Sequence, residues 1–296
     1  MEHRDATPSD LPVADVASAL AAAGCVWPDE EAQVLARAAG SPAELAEMAR
    51  RRCAGEPLEY VVGRTVFCGI DVLVERGVFV PRPRTEFLAR CACALARGPL
   101  CREEPVRVLD LCCGTGAVAL VLCRRVAGVR LWATDLSPLA TACARGNLAG
   151  CDCTVLTGDL FEPLAEAGVE PFDLIVVNAP YVPTAEARML PAEARDHEPA
   201  MAWDGGPEGF GIQRRVLEAA RAWMRPQGFL LMETSRRQSA GLVEIAESHG
   251  FRAQERCLVA RDATVVLACL PYLRSRRSRP SRERDYVEGG ASTDRA

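Results

Sequence analysis

Hydrophobic positions in the first part of the chain recur at helical spacing and are interrupted by helix-breaking residues. The runs from Leu11 to Leu20 and from Leu45 to Met48 place apolar side chains on one face of a helix. Breaks fall at Pro28 and at Gly40-Ser41-Pro42, where a regular helix cannot continue. We therefore expect a small helical domain at residues 1–58.

A β-like pattern follows the helical domain. Val61-Val62 and Thr65-Val66-Phe67 precede a turn at Cys68-Gly69, and a further apolar run extends from Ile70 to Val74. Apolar runs on both sides of a short glycine-containing turn are typical of a hairpin. The pattern predicts a β-hairpin linker at residues 59–82.

From residue 106 onwards, short β-branched runs alternate with helical patterns. The predicted strands are Val106–Leu111, Arg130–Thr134, Cys153–Leu156, Phe172–Val177 and Phe229–Glu233. The predicted helices are Ala117–Ala127, Pro138–Leu148, Ile212–Met224 and Ala240–His249. Alternation of this kind is typical of an α/β fold with a parallel sheet that helices cover on both faces.

The last two strand candidates, Arg252–Val259 and Thr264–Leu270, are too close in sequence to be parallel. So short a connection requires an antiparallel pair. A mostly parallel, Rossmann-like, seven-stranded sheet with one antiparallel strand is the plan of class I methyltransferases, which we assign to residues 83–272. Residues 273–296 are arginine-rich and of low complexity, and we expect a disordered tail there.

Composition narrows the classes of protein that this chain can represent. It has 296 residues, of which 49% are hydrophobic and 25% charged, as in ordinary globular proteins. A net charge of −5 argues against binding to nucleic acid mainly through phosphates. We recognise no signal peptide and no apolar run that could span a bilayer. We therefore expect a cytoplasmic protein with neither a membrane nor a nucleic acid as partner.

Fourteen cysteines raise the question of metal or disulfide chemistry. The close pairs are Cys91-x-Cys93, Cys112-Cys113 and Cys151-x-Cys153, and none has the two-residue spacing of zinc sites. We expect reduced, mostly structural thiols and no metal site.

The segment from Val108 to Ala117 combines a strand, a glycine turn and a helix start. Gly114 and Gly116 let the backbone approach a ligand, and the free N–H groups of the helix start favour a carboxylate or phosphate. Asp135 ends the next predicted strand, where an acid binds ribose hydroxyls. The glycine spacing also fits the dinucleotide fingerprint. This segment predicts an adenosine-type cofactor without choosing between NAD and S-adenosylmethionine (SAM).

Two later segments favour SAM. Asp159 follows the third strand, where it can accept a hydrogen bond from adenine or simply cap a helix. Asn178-Ala179-Pro180-Tyr181 leaves a buried strand at the edge where open α/β sheets bind ligands. Its amide and aromatic ring suit a flat, nitrogen-bearing group, although the segment alone also fits a plain turn. Amino-group methyltransferases use such a segment, whereas dehydrogenases do not.

Together these motifs resemble those of the protein-(glutamine-N5) methyltransferases that modify peptide chain release factors, the HemK/PrmC family. The similarity covers about residues 30 to 270. Besides the glycine turn and the Asn178 segment, the matching segments are Gly55–Gly63, Val80-Pro81-Arg82-Pro83-Arg84-Thr85-Glu86, Gly158–Leu164, His197-Glu198-Pro199 and Asp204–Gly209. The chain departs from the family pattern at Cys112 (usually glycine), Arg84 (usually an acid) and Ala179 (usually proline). Its helical domain is also short, so the chain resembles a divergent branch.

The resemblance implies methyl transfer from SAM to a glutamine amide nitrogen, by default in the Gly-Gly-Gln loop of a release factor that the helical domain helps to dock, with S-adenosylhomocysteine as product. It implies that Asn178 accepts one amide hydrogen and the carbonyl of residue 179 the other. The implied catalytic residues are Asn178, Ala179, Pro180 and Tyr181. The cofactor-binding candidates are Asp110, Cys112, Gly114, Thr115, Gly116, Asp135, Leu136, Asp159, Leu160 and Asn178. The substrate-edge candidates are Arg82, Thr85, Glu86 and Glu198.

Three other functions stay open at this point. The short helical domain and Arg84 favour a small-molecule N-methyltransferase of specialised metabolism, acting on an amide or amine. A DNA or RNA amino-methyltransferase shares the Asn178 motif but conflicts with the acidic net charge. A SAM-binding scaffold without activity conflicts with the intact Asn178, Asp135 and glycine turn. Glu233, which ends a central strand, we assign to the fold rather than to the site.

Overall fold

The computed structural model describes residues 12–100 and 104–271. The helices are α1 (Val13–Ala22), α2 (Pro28–Ala38), α3 (Pro42–Cys53), α4 (Leu58–Val62), α5 (Thr85–Arg97), α6 (Ala117–Arg125), α7 (Pro138–Asn147), α8 (Glu162–Glu166), α9 (Ala192–His197), α10 (Gly211–Trp223) and α11 (Ser239–Ser248). The strands are β1 (Arg64–Phe67), β2 (Ile70–Leu73), β3 (Val106–Leu111), β4 (Val129–Asp135), β5 (Cys153–Thr157), β6 (Phe172–Val177), β7 (Met224–Thr234), β8 (Arg252–Leu258) and β9 (Ala263–Cys269). The arginine-rich segment 273–296 falls outside the described residues.

Seven strands form one sheet in the order β5-β4-β3-β6-β7-β9-β8, and β9 runs antiparallel to both of its neighbours. The predicted α/β architecture with one antiparallel strand is therefore confirmed. Every residue of β6 is buried, as expected for a central strand covered by helices on both faces. The strand β7 begins at Met224 instead of Phe229, because Met224 pairs with Phe172 across an irregularity in the ladder.

The helices α1 to α3 enclose a separate small core, and the breaks between them lie where Pro28 and Ser41-Pro42 predicted them. The hairpin is also confirmed, since β1 and β2 pair around Cys68-Gly69. The expectation that Val61-Val62 is β-like was wrong, because these residues complete α4. The carbonyl of Pro57 accepts the amide hydrogen of Val61 at 3.1 Å, and two consecutive apolar residues do not distinguish a helical turn from a strand.

The helical unit is attached to the rest of the molecule through a buried arginine. Arg52 of α3 donates from Nε to Glu31 of α2 at 2.6 Å and from Nη2 to Glu193 of α9 at 2.7 Å. Its Nη1 donates to the main-chain oxygen of Glu56 at 3.1 Å. Only 6% of the Arg52 side chain and 12% of the Glu31 side chain are exposed. Arg52 therefore ties two helices of the N-terminal unit to α9.

We expect Arg52→Met to lower the free energy of unfolding by about 3 kcal/mol, because it leaves Glu31 buried without its cation. Urea unfolding followed by circular dichroism measures the loss. Arg50→Met is the matched control two residues earlier: Arg50 pairs with Glu47 in the same helix, both side chains are more than half exposed, and little change is expected. Equal stabilities of the two variants would contradict the anchoring role of Arg52.

Two cysteines are paired, which corrects the expectation that all thiols are reduced. Cys123 in α6 forms a disulfide with Cys151, just before β5, across a Cα–Cα distance of 6.0 Å. The pairing depends on where the fold places α6 relative to the segment before β5, and the sequence separation of 28 residues does not reveal that. The other cysteines within the described residues are free. No helix in residues 12–100 or 104–271 is long and apolar enough to cross a membrane.

Candidate active site

The carboxyl ends of β5, β4, β3 and β6 lie side by side and border a cavity of about 280 Å³, here called the inner cavity. The chain runs outward from β3 to β5 and then returns to β6, so the cavity lies at the switch point where such sheets bind ligands. The candidate residues that line it are Thr85, Asp110, Cys112, Gly114, Thr115, Asp135, Leu136, Asp159, Leu160, Asn178 and Pro180. The fold thus brings together segments that are far apart in sequence.

The glycine turn has two different tasks. Gly114 has a positive φ of 54°, and a Cβ atom added there would meet no atom within 4 Å, so its backbone stays open to a ligand. Gly116 does not line the cavity. A Cβ atom on Gly116 would lie 3.0 Å from Leu148, so this glycine allows α6 and α7 to pack closely. Cys112 adopts a φ of 59° at the position where the family usually has glycine.

Two aspartates beside the glycine turn are held by hydrogen bonds from main-chain N–H groups. Asp135 accepts hydrogen bonds from the main-chain N–H groups of Gly114 and Ser137, each at 2.9 Å. Asp110 accepts one from Ala119 at 2.9 Å. Burial raises the pKa of Asp110 to about 7 and raises the pKa of Asp135 as well. Both carboxylates are therefore held in fixed positions in a poorly solvated site.

The charges around the inner cavity distinguish between the two cofactors that the sequence left open. Its lining within the described residues includes four carboxylates, those of Asp110, Asp135, Asp159 and Asp204, and one guanidinium, that of Arg215. Arg215 pairs with Asp159 at 2.7 Å. An excess of carboxylates suits the sulfonium and ammonium groups of SAM and disfavours the pyrophosphate of NAD. Arg215 was not among the predicted site residues, although it lies on α10, shortly after the Asp204–Gly209 segment.

A second cavity of about 540 Å³, here called the outer cavity, adjoins the first. Asn178 and Pro180 line both cavities, while Ala179 and Tyr181 line the outer one. Asn178 therefore lies at the junction between the two cavities. A methyl donor in the inner cavity and an acceptor in the outer one would meet there.

The four substrate-edge candidates lie in different places. Arg82 and Glu198 line the outer cavity and form an ion pair of 2.6 Å, whereas Thr85 lines the inner cavity. Glu86 lines neither cavity. It accepts a hydrogen bond from the main-chain N–H of Cys68 at 2.9 Å and pairs with Arg261 at 3.1 Å, and thereby joins the hairpin to the sheet domain.

A hydrogen-bonded chain connects the Asn178 segment to β7. Asn178 Nδ2 donates to Thr85 Oγ1 at 3.4 Å, and the Thr85 hydroxyl bonds to Glu233 Oε1 at 3.2 Å. The hydroxyl of Tyr181 bonds to the same oxygen at 3.2 Å. From its sequence position, Glu233 was expected to serve the fold. One feature of the sequence could have predicted Glu233 as a site residue: it is a carboxylate at the end of a buried strand, on the same sheet edge as Asn178.

Comparisons with known proteins identify the family. A family profile described as "Methyltransferase domain" matches residues 108–197. A release factor glutamine methyltransferase of Geobacter sulfurreducens is 36% identical over 227 residues, which are 75% of this chain and 76% of that protein. One of Bradyrhizobium diazoefficiens is 32% identical over 251 residues, 85% of this chain and 82% of that protein. The chain belongs to the release factor glutamine methyltransferase family.

As a member of the release factor glutamine methyltransferase family, the chain is a SAM-dependent methyltransferase, and the predicted cofactor is confirmed. SAM supplies an activated methyl group on a sulfonium. We expect Asp135 to bind the ribose hydroxyls and the glycine turn to lie against the cofactor's amino-acid part. Leu136 and Leu160 offer apolar contacts from the ends of β4 and β5.

We expect Asp135→Asn to weaken SAM binding by about 10-fold, because an amide offers one acceptor oxygen where the carboxylate offers two. Both oxygens of Asp135 already accept main-chain N–H groups, so its loss also loosens the turn. Isothermal titration calorimetry measures the change in the dissociation constant. Asp152→Asn makes the same chemical change at an exposed position and serves as the control. Unchanged SAM binding in Asp135→Asn would remove Asp135 from the cofactor site.

Proposed function

We propose that this enzyme methylates the side-chain amide nitrogen of a glutamine in the Gly-Gly-Gln loop of a peptide chain release factor, in the cytoplasm. The observation that supports this most directly is the position of Asn178 between an acidic inner cavity and a larger outer cavity. The Geobacter and Bradyrhizobium relatives, both named release factor glutamine methyltransferase, align with 75% and 85% of the chain, respectively.

The chemistry needs accurate placement more than a strong base. The lone pair of an amide nitrogen is delocalised into its carbonyl and must be turned toward the methyl group. In the proposal, Asn178 Oδ1 and the carbonyl oxygen of Ala179 each accept one amide hydrogen, which orients the nitrogen. Alignment of this kind supplies up to about 7–11 kcal/mol of the barrier. Since residue 179 acts through its carbonyl, alanine serves in place of the family's proline.

The outer cavity suits a loop that enters from the surface. Met189 and Arg261 line it and are exposed by 74% and about half, respectively, while Glu198, which also lines it, is almost fully buried. Tyr181 lines the same cavity and, in the proposal, packs against the glutamine amide. The proposed boundaries are a docking domain at 1–58, a hairpin linker at 59–82 and a catalytic domain at 83–272.

The N-terminal unit is connected to the acceptor side of the site. Glu193, the partner of Arg52, lies in α9 next to Ala194, which lines the outer cavity. In the proposal, a release factor bound to α1–α3 is thereby held in a fixed position relative to Asn178. This arrangement supports a protein acceptor over a small molecule, which would not need a separate docking unit.

The decisive experiment incubates the enzyme with methyl-labelled SAM and a recombinant release factor and locates the label by mass spectrometry. Label on the glutamine of the Gly-Gly-Gln loop supports the proposal, and a release factor with alanine in place of that glutamine is the control that should remain unlabelled. SAM binding measured by calorimetry accompanies the assay. Normal SAM binding without label would contradict the release factor as acceptor and direct the search to amide- or amine-bearing small molecules.

A further inference from the structure

The proposed role of Asn178 depends on which way its amide faces. Its oxygen must point to the acceptor, because the acceptor amide brings hydrogens that need an acceptor atom. The oxygen and nitrogen of an asparagine amide are similar in size, so packing alone does not choose between the two orientations. A hydrogen-bonding partner of known direction must make the choice.

We propose that Glu233 is a positioning residue which, through the hydroxyl of Thr85, holds the Asn178 amide with its oxygen toward the acceptor. The proposal rests on the proposed function, because the glutamine amide brings N–H hydrogens that the Asn178 oxygen must accept. The three side chains are contributed by β7, α5 and the loop after β6, and they are linked at 3.2 Å and 3.4 Å.

The chemistry of each group determines which atom donates and which accepts in these hydrogen bonds. An ionised carboxylate only accepts hydrogen bonds, so the hydroxyls of Thr85 and Tyr181 both donate to Glu233 Oε1. A hydroxyl has a single hydrogen, and that of Thr85 is used on Glu233. Toward Asn178 the Thr85 oxygen is then only an acceptor, which requires Asn178 to present Nδ2 to it. The Oδ1 atom of Asn178 is thereby left for the acceptor.

Burial of the Glu233 carboxylate costs folding free energy, which is consistent with a positioning role. Its side chain is 4% exposed, and its Oε2 atom has no hydrogen-bond partner among residues 12–100 and 104–271. The charged group that faces it is Arg84, whose Nε lies 3.8 Å from Oε1, and Tyr181 is the titratable neighbour. Burial raises the pKa of Glu233. Protonation of Glu233 would let its carboxyl group donate a hydrogen bond. The Thr85 hydroxyl would then no longer be restricted to donating toward Glu233.

Thr85→Val and Thr85→Ser form a matched pair, because valine has nearly the shape of threonine without the hydroxyl and serine keeps the hydroxyl. With release factor as acceptor, we expect Thr85→Val to lower kcat by about 10- to 100-fold while SAM affinity stays within about threefold. Thr85→Ser should restore kcat to within about threefold of the wild type. The wild-type kcat should fall as the pH decreases through the pKa of Glu233, and Thr85→Val should lack that fall.

A second measurement requires no acceptor. The chain contains two asparagines, Asn147 and Asn178, so ¹⁵N-asparagine labelling yields two side-chain amide signals. Asn147 Nδ2 donates to the main-chain oxygens of Leu73 and Thr115, each at 2.9 Å, and provides an internal reference. We expect hydrogen exchange of the Asn178 NH₂ group to accelerate in Thr85→Val and in Glu233→Leu but not in Thr85→Ser, with Asn147 unchanged.

The two measurements separate this proposal from the proposed function. An unmethylated release factor together with the expected exchange pattern would contradict the function and support the positioning chain. Methylation with the same kcat in Thr85→Val, or exchange at Asn178 that is equal in all variants, would overturn the positioning chain. If kcat fell as much in Thr85→Ser as in Thr85→Val, the positioning chain would also be overturned, since the effect would then not depend on the hydroxyl.

Discussion

Asn178→Ala is expected to lower kcat by about 10²- to 10³-fold while leaving SAM affinity within about threefold. The side chain lies at the junction of the two cavities, and in the proposed function its oxygen accepts a hydrogen bond from the acceptor amide. Alanine removes that acceptor atom without adding bulk or charge. Since many other residues line the inner cavity, we expect SAM binding to depend little on this one side chain.

Multiple-turnover methylation at saturating release factor and SAM measures kcat, and calorimetry measures the SAM dissociation constant. Gln254→Ala removes a side-chain amide from an exposed position on β8 and is the control for changes unrelated to the site. A parallel loss of SAM binding in Asn178→Ala would mean that Asn178 serves the cofactor instead of the acceptor. Undiminished kcat would contradict the proposed mechanism itself.

The sheet was predictable from sequence because its strands are buried on both faces. Such strands appear as unbroken apolar runs, and Val106–Leu111 and Phe172–Val177 were found with their observed bounds. The short connection between β8 and β9 required an antiparallel pair, and the structure has one. Local sequence therefore predicts a strand where burial produces an unbroken apolar run, and it predicts strand direction where a short loop permits only one.

Features that depend on contacts between distant segments could not be obtained in this way. The disulfide of Cys123 with Cys151 and the pairing of Arg215 with Asp159 both join parts of the chain that only the fold brings together. Glu233 was assigned to the fold because it ends a predicted central strand. Its position beside Thr85 becomes visible only once β7 and α5 are placed on the same side of the site.

Asp110 should make the stability of the protein depend on pH. Its pKa is raised by burial from an ordinary value of 3.8 to about 7 in the folded state. A carboxyl group with a raised folded-state pKa contributes stability that is fully present below its unfolded pKa and is lost as the pH rises through the folded pKa. The full effect is about 4 kcal/mol, of which about 3 kcal/mol lies between about pH 5 and about pH 8.

Asp110→Asn should remove this part of the pH dependence, since an amide does not titrate and its oxygen can still accept from the N–H of Ala119. Urea unfolding at about pH 5 and about pH 8 measures it, with Asp152→Asn as the exposed control. In the variant, the free energy of unfolding should still decrease somewhat as the pH rises, because burial also raises the pKa values of Asp135, Glu198 and Glu233. An equal decline in Asp110→Asn and wild type would contradict the prediction.

The same ionisation should be coupled to the cofactor. A positively charged ligand that binds beside Asp110 favours the ionised carboxylate, so SAM should stabilise the wild-type enzyme more at about pH 8 than at about pH 6. In Asp110→Asn this difference should largely disappear. A carboxylate that destabilises the empty protein would then be the group that favours a cationic cofactor, which explains why a buried strand such as β3 carries an aspartate next to its carboxyl end.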